Sequence, residues 1–353
     1  MRCLDLFSGI GGMGRLLPFE PVMFCERDPF PRSVLARRIK SGDLPDVPIH
    51  EDVRTLNPPD HDILIGGFPC QDISTLGLKK GLDGDKSSLY FQILRIVKLK
   101  HPKFVFLENV AHILQMPSVW QVVLRTLSLE GYDMKWCVFG ANSCGALHQR
   151  NRWFILATHT GNCCDSGRMP PRMSKYGEMK RGVYRELPDP KVPRTRMGEP
   201  VVMRHLEGVP TKGTLCTKEV RRTLWMTPRA TGGTRAIYNK TKRSMSDLPN
   251  QLRFALSTPA EDRHFCANLK WVENLMGLPA GWTDPECDHV EDFPGFGKEV
   301  YKRMIKDKVQ KHYYKRWKTL GNMCVSQTSL LAYNYLKAPA FVNEAACLDS
   351  LGK

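Results

Sequence analysis

The chain has 353 residues, 42% of them hydrophobic and 25% charged, the composition of an ordinary soluble globular protein with room for about two domains. It holds no run of about 18 apolar residues, which argues against a membrane span, and its start, Met1-Arg2-Cys3-Leu4-Asp5, turns acidic too early for a signal peptide. A formal net charge of +16 points to a polyanionic partner, nucleic acid first among them.

In chain order, Cys3-Leu4-Asp5-Leu6-Phe7 reads as a strand running into a turn with Gly9, Gly11, Gly12 and Gly14. Glycines at such a turn let the backbone approach a ligand and expose N–H groups at a helix start. Pro21 to Glu26 is a second strand ending in a carboxylate, placed where dinucleotide folds bind ribose hydroxyls. Asp52 follows as a candidate acceptor for an adenine amine. Asp62 to Ile65 is a third strand, followed by "GGFPCQDIS" with Cys70 near the strand end. A cysteine there is packing material, a metal ligand or a nucleophile, and a nucleophile needs neighbouring dipoles or cations to favour its thiolate.

Leu89 to Leu99 has a helical pattern, and Phe104 to Glu108 is a buried strand ending in an acid. "HQRNR" sets Arg150 and Arg152 in alternation before a further strand, Trp153 to Ala157, so both are expected to point the same way. Strands alternating with helices predict an α/β fold: a Rossmann-like, mostly parallel sheet with helices on both faces. From Gly161 to Asn250 there are 19 Lys and Arg against 8 Asp and Glu, so +11 of the excess charge sits in this Pro- and Gly-punctuated stretch. Regular structure returns at Leu269 to Met276, and Ser326 to Lys337 is an apolar helix. Twelve cysteines without C-x-x-C spacing predict free thiols in an intracellular, reducing compartment and no metal site. The adjacent Cys163-Cys164 and the lone Cys287-Asp288-His289 do not change that.

Together these segments resemble the DNA (cytosine-5)-methyltransferase family. "DLFSGIGG" is similar to its cofactor loop, "GGFPCQ" to its Pro-Cys-Gln nucleophile motif, "FLENV" to its Glu-Asn-Val motif and "HQRNR" to its Arg-x-Arg motif. "LGNMCV" (320–325) resembles the late Gly-Asn motif, and "LMGLPAGWTD" (275–284) a segment common before it.

The resemblance implies S-adenosyl-L-methionine as cofactor, held by Phe7, Gly9, Gly11, Glu26, Asp52, Phe68, Leu89 and Asn322. It implies Cys70 as nucleophile at C6 of a flipped-out cytosine, Glu108 at N3, and Arg152 with Arg150 stabilising charge on the ring. A closing loop would carry Gln71 and Ser74 toward the vacated space and Lys79, Lys80 and Lys86 toward phosphates. Residues 1–160 would be the catalytic domain, 161–265 a basic, loop-rich target-recognition domain, and 266–353 a return to the catalytic domain.

Within the basic domain, "LWMTPRATGG" (224–233) is the expected groove-facing element. The expected partner is double-stranded DNA, bound by a monomer of a standalone catalytic unit in the cytoplasm of a prokaryote or wherever host or viral DNA resides. Transfer RNA is the alternative substrate, and a catalytically silent DNA-binding relative the alternative class; no residue identifies a cognate endonuclease. Three departures stand out: His148 where many members have Gln, Lys86 for an Arg, and Val325 for a Pro.

Overall fold

A computed structural model describes residues 1–68, 89–162, 227–228, 248, 268–291 and 312–338. The N-terminal half alternates strands and helices. It runs β1 (Arg2–Leu6), β2 (Glu20–Cys25), α1 (Pro29–Lys40), β3 (Ile49–His50), β4 (Ile63–Gly67), α2 (Leu89–Lys100) and β5 (Phe104–Val110). It continues through α3 (Pro117–Leu129), β6 (Tyr132–Phe139) and β7 (Arg152–His159); three helices then lie in the C-terminal segments, α4 (Leu269–Leu275), α5 (Tyr313–Asn322) and α6 (Ser326–Lys337). The two helices expected around Leu89 and Ser326 form where the periodicity places them. The start of α1 is set by Asp28, whose side chain accepts from the Phe30 N–H, with prolines in the first turn where no N–H is needed.

The seven strands form one sheet in the order β3-β2-β1-β4-β5-β7-β6. Pairings from β3 through β5 are parallel, while β7 runs antiparallel to both β5 and β6. The expected α/β sheet, mostly parallel, is therefore present. The antiparallel strand arises because β6 and β7 are joined by a connection holding only a short 3-10 turn at Ala141–Cys144, not a crossover helix.

Side chains alternate along each strand, which gives the sheet two apolar faces. Leu4, Leu6, Leu64, Val105, Leu107 and Ile155 face α2 and α3, which bring Ile93, Val97, Val123 and Leu127. Cys3, Ile63, Ile65, Phe106 and Phe154 face α6, which brings Ala332, Tyr333 and Leu336. Helices thus cover both faces, and each fully buried Leu or Ile contributes about 1.5–3 kcal/mol. A third cluster joins α1 to α4 and α5 through Val34, Leu35, Val272, Leu275, Trp282 and Trp317. The C-terminal return is in this way packed onto the N-terminal unit.

Among the described residues no helix is long and apolar enough to cross a membrane. The expected recognition domain, 161–265, lies almost wholly outside the described residues. So do Cys70, Gln71, Ser74, Lys79, Lys80 and Lys86.

Candidate active site

The site forms at the sheet edge where β1, β4 and β5 end. Because β7 is antiparallel, its first residue, Arg152, sits at that same edge, paired with Val110 at the end of β5. Glu108 and Arg152 lie on one face of neighbouring strands, and Arg152 Nε approaches Glu108 Oε1 at 2.7 Å. Both side chains are largely withdrawn from solvent. Burial pushes the Glu108 carboxyl above the usual carboxylate range, while the Arg152 and Arg150 charges pull it back only in part.

Gly66 and Gly67, at the end of β4, are required by close approach. A Cβ on Gly66 would meet the Leu6 carbonyl at 2.9 Å, and one on Gly67 would meet Glu108 Oε2 at 2.8 Å. Asn109 ties the same corner together by donating from Nδ2 to the Phe68 carbonyl at 2.9 Å. It fixes the backbone two residues before Cys70. Sequence reasoning left Asn109 and Gly67 out of the site, although both stand inside segments it singled out.

Arg150 does not follow the strand alternation, because it precedes β7 and has a left-handed φ of 33°. Its buried guanidinium donates to main-chain carbonyls: Gly321 at 2.8 Å, Met323 at 3.0 Å from Nε, and Pro228 at 3.2 Å. Burial, with Arg152 nearby, lowers its pKa to about 9. His148 is also fully buried, with Nε2 at 3.0 Å from the Leu275 carbonyl and Nδ1 at 3.4 Å from Thr227 Oγ1. Its pKa falls to about 3, chiefly through burial, so a neutral imidazole spans these two partners. Thr227 and Pro228, the described part of the expected groove-facing element, are therefore tied to this corner of the catalytic unit. Val325 has φ −72° and ψ 121°, which keeps the backbone a proline would impose.

The residues assigned to the cofactor differ in their surroundings. Phe68 is buried, with its ring 5.4 Å from that of Tyr90, and Phe7 and Leu89 pack against the same apolar cluster. Phe7, at φ 54°, holds a left-handed conformation unusual for a bulky residue, as do the glycines after it, Gly9 at 56° and Gly11 at 79°. Glu26 Oε2 accepts from Gly9 N at 2.8 Å and Oε1 from Asp28 N at 2.8 Å. These main-chain donors, with the Arg27 N–H also close, do not use all the lone pairs of the carboxylate, which leaves acceptor capacity for hydroxyl donors.

Asp52 is engaged differently, by the guanidinium and main-chain N–H of Arg54, with Arg54 Nε at 3.0 Å from Oδ1. That contact holds its carboxylate well below the usual range. Asn322 is exposed at the end of α5, between the two residues whose carbonyls Arg150 holds. A left-handed apolar turn, an acid with spare lone pairs and aromatic rings nearby fit a nucleoside carrying an amino-acid side chain. Among the described residues no group of three or more His, Cys, Asp and Glu is placed to hold a metal ion.

Residues 1–325 match the family model described as C-5 cytosine-specific DNA methylase. Type II methyltransferase M1.ScrFI of Lactococcus lactis subsp. cremoris is 31% identical over 206 residues, covering 56% of this chain and 47% of that protein. Type II methyltransferase M.HhaI of Haemophilus parahaemolyticus is 34% identical over 161 residues, 44% of this chain and 48% of that protein. The chain thus spans about half the length of these curated relatives. Among solved structures, Spodoptera frugiperda DNMT2 superposes with a TM-score of 0.54 at 14% identity, covering 96% of this chain and 99% of that one. S. pombe Dnmt2 gives 0.53 at 15%, covering 94% and 97%. Those two likenesses concern the fold.

Proposed function

Because the chain belongs to the C-5 cytosine-specific DNA methylase family, we propose that it methylates C5 of a flipped-out cytosine in duplex DNA. The observation that carries this reading is the Glu108–Arg152 pair, 2.7 Å apart and shielded from solvent, beside the strand end that leads to Cys70. Phe7, Gly9, Gly11, Glu26, Asp52, Phe68, Leu89 and Asn322 would hold S-adenosylmethionine, which would supply an electrophilic methyl group.

The chain's own residues make the base reactive. The Cys70 thiolate adds to C6, and the electron pair of the 5,6 double bond moves into the ring. Glu108 donates a proton at N3, so that charge does not accumulate there, and C5 becomes nucleophilic as an enamine carbon. Arg152 holds the carboxyl in place and favours negative charge on the pyrimidine. After transfer, loss of the C5 proton, departure of the thiolate and return of the N3 proton to Glu108 restore the aromatic ring and the starting state of the acid. Arg150 acts at one remove, by holding the backbone on both sides of Asn322.

The reacting atoms are inaccessible in a stacked duplex, so the base must leave it; methyltransferases are among the standard cases. The loop with Gln71, Ser74, Lys79, Lys80 and Lys86 would close over the extruded base. The basic stretch 161–265 would contact phosphates and read base edges. The buried free thiols Cys3, Cys25 and Cys324 fit a reducing intracellular setting for a monomer of this kind.

Tritiated S-adenosylmethionine offered with duplex DNA and, separately, with transfer RNA tests the substrate. Label is expected in cytosine of the duplex. Label confined to the RNA would make transfer RNA the substrate, and label in neither would remove the activity and leave the catalytically silent, DNA-binding class.

A further inference from the structure

The segment "LMGLPAGWTD" (275–284) has no part in the chemistry above, yet it reaches the cofactor loop. Trp282 is buried at 1% exposure, and its indole N–H donates to the Ile10 carbonyl at 3.0 Å. Ile10 stands between Gly9 and Gly11, the two left-handed glycines of the turn. One turn further, the Ser326 hydroxyl donates to the Gly12 carbonyl. Both donors come from the C-terminal return, 272 and 314 residues away in sequence. The other side of the loop is held from β2, where Gly9 N meets Glu26 and Ser8 N donates to the Cys25 carbonyl at 3.1 Å.

Trp282 is itself rigidly placed. The turn carrying it is pinned by buried Glu273, which accepts from Gly281 N at 2.6 Å and Thr283 N at 2.9 Å. Gly281, at φ 91°, supplies the left-handed residue that turn needs. Two guanidinium groups approach the indole, Arg15 at 5.0 Å and Arg38 at 5.8 Å from the ring centroid. Arg38 is in turn fixed to the Asp284 carbonyl at 3.2 Å and to Asp43 at 3.0 Å. A ring so constrained holds its N–H in one direction, and a loop carbonyl on that N–H cannot rotate.

We propose that Trp282 and Ser326 are positioning residues for the cofactor: they clamp the Ile10 and Gly12 carbonyls, so that the backbone of the loop already holds its shape when the cofactor arrives. The inference rests on the proposed S-adenosylmethionine site. A loop released from either donor must be ordered by the ligand, and that ordering weakens binding.

The test is calorimetric titration of the full chain with S-adenosylhomocysteine, for wild type, Trp282→Phe and Ser326→Ala, well below every melting temperature. Phe keeps an aromatic ring but loses the pyrrole part of the indole together with the donor; Ala at 326 is a small change with little risk to folding and isolates the lost hydrogen bond. Each variant is expected to bind about three- to tenfold more weakly, the loss of one hydrogen bond's net contribution. Tyr132→Phe, which removes a buried hydroxyl that donates to the Pro102 carbonyl at the opposite end of the sheet, should leave the dissociation constant unchanged. Wild-type affinity in Trp282→Phe and Ser326→Ala, even with lowered melting temperatures, would reduce both residues to structural ones and overturn the inference alone. No binding by wild type would overturn the cofactor reading and the inference with it.

Discussion

Glu108→Gln should lower methyl transfer to duplex DNA by about a hundredfold or more, the usual contribution of a positioned general acid. The amide keeps the size of the side chain and offers Arg152 an acceptor, so the corner built by Gly67, Asn109 and Arg152 stays assembled. What it lacks is a transferable proton. The native carboxyl is raised by burial against the opposing pull of Arg152 and Arg150, which keeps the acid form present at higher pH than an exposed glutamate would.

The sign of the pH dependence follows. A step needing protonated Glu108 slows as pH rises through the raised value, and in the Gln variant that limb should vanish. Stability moves the same way. The folded state retains a proton that the unfolded chain has already lost, so stability declines from the ordinary glutamate range up through the raised value. Glu108→Gln should flatten that slope. Transfer rates and denaturant midpoints across pH check both expectations; undiminished transfer would remove Glu108 from the chemistry.

Glu273→Ala should destabilise the protein by about 2–4 kcal/mol, because buried Arg316 keeps only Asp284 as a carboxylate partner and the N–H groups of Gly281 and Thr283 lose their acceptor. Glu273 is fully buried and meets Arg316 Nη2 at 3.0 Å, while Arg316 also donates to Thr283 Oγ1 at 2.9 Å and to Asp284 at 3.0 Å. Replacing both partners by apolar residues, Glu273→Leu with Arg316→Met, should recover only part of the loss. The charges are then gone, but the N–H groups of Gly281 and Thr283 still lack their acceptor, at roughly 1–3 kcal/mol each. Equilibrium denaturation of the three proteins decides it, and a Glu273→Ala variant as stable as wild type would contradict the network. Since the same carboxylate fixes the turn bearing Trp282, its loss should loosen the cofactor loop as well.

Much of this arrangement was legible in the chain because short apolar runs end at the residues that matter. β4 and β5 begin as hydrophobic runs and β1 is interrupted only by Asp5 within its apolar residues, so their ends point to the turn after Phe7, to the segment holding Cys70 and to Glu108. β6 was not legible: Asp133 and Lys135 interrupt it, as suits an edge strand whose charges discourage further pairing. α1 is masked by its own arginines, one of which, Arg38, is wholly buried because Asp43 and two carbonyls receive it. The presence of Arg152 at the active edge depends on β7 running antiparallel, which no local pattern states. Alternation misplaced Arg150, since a left-handed residue breaks the period on which the rule rests. The contact between Trp282 and Ile10 spans 272 residues, and only packing can reveal it.

The central claim is a covalent bond between Cys70 and C6 of cytosine. Duplex DNA with 5-fluorocytosine at the target position, incubated with S-adenosylmethionine, measures it directly, because fluorine at C5 prevents the elimination that would release the thiolate. Wild type should give a denaturant-resistant protein–DNA adduct, and Cys70→Ala none, while still binding the duplex. No adduct from wild type that transfers label to ordinary duplex, or an undiminished adduct from Cys70→Ala, would contradict the assignment.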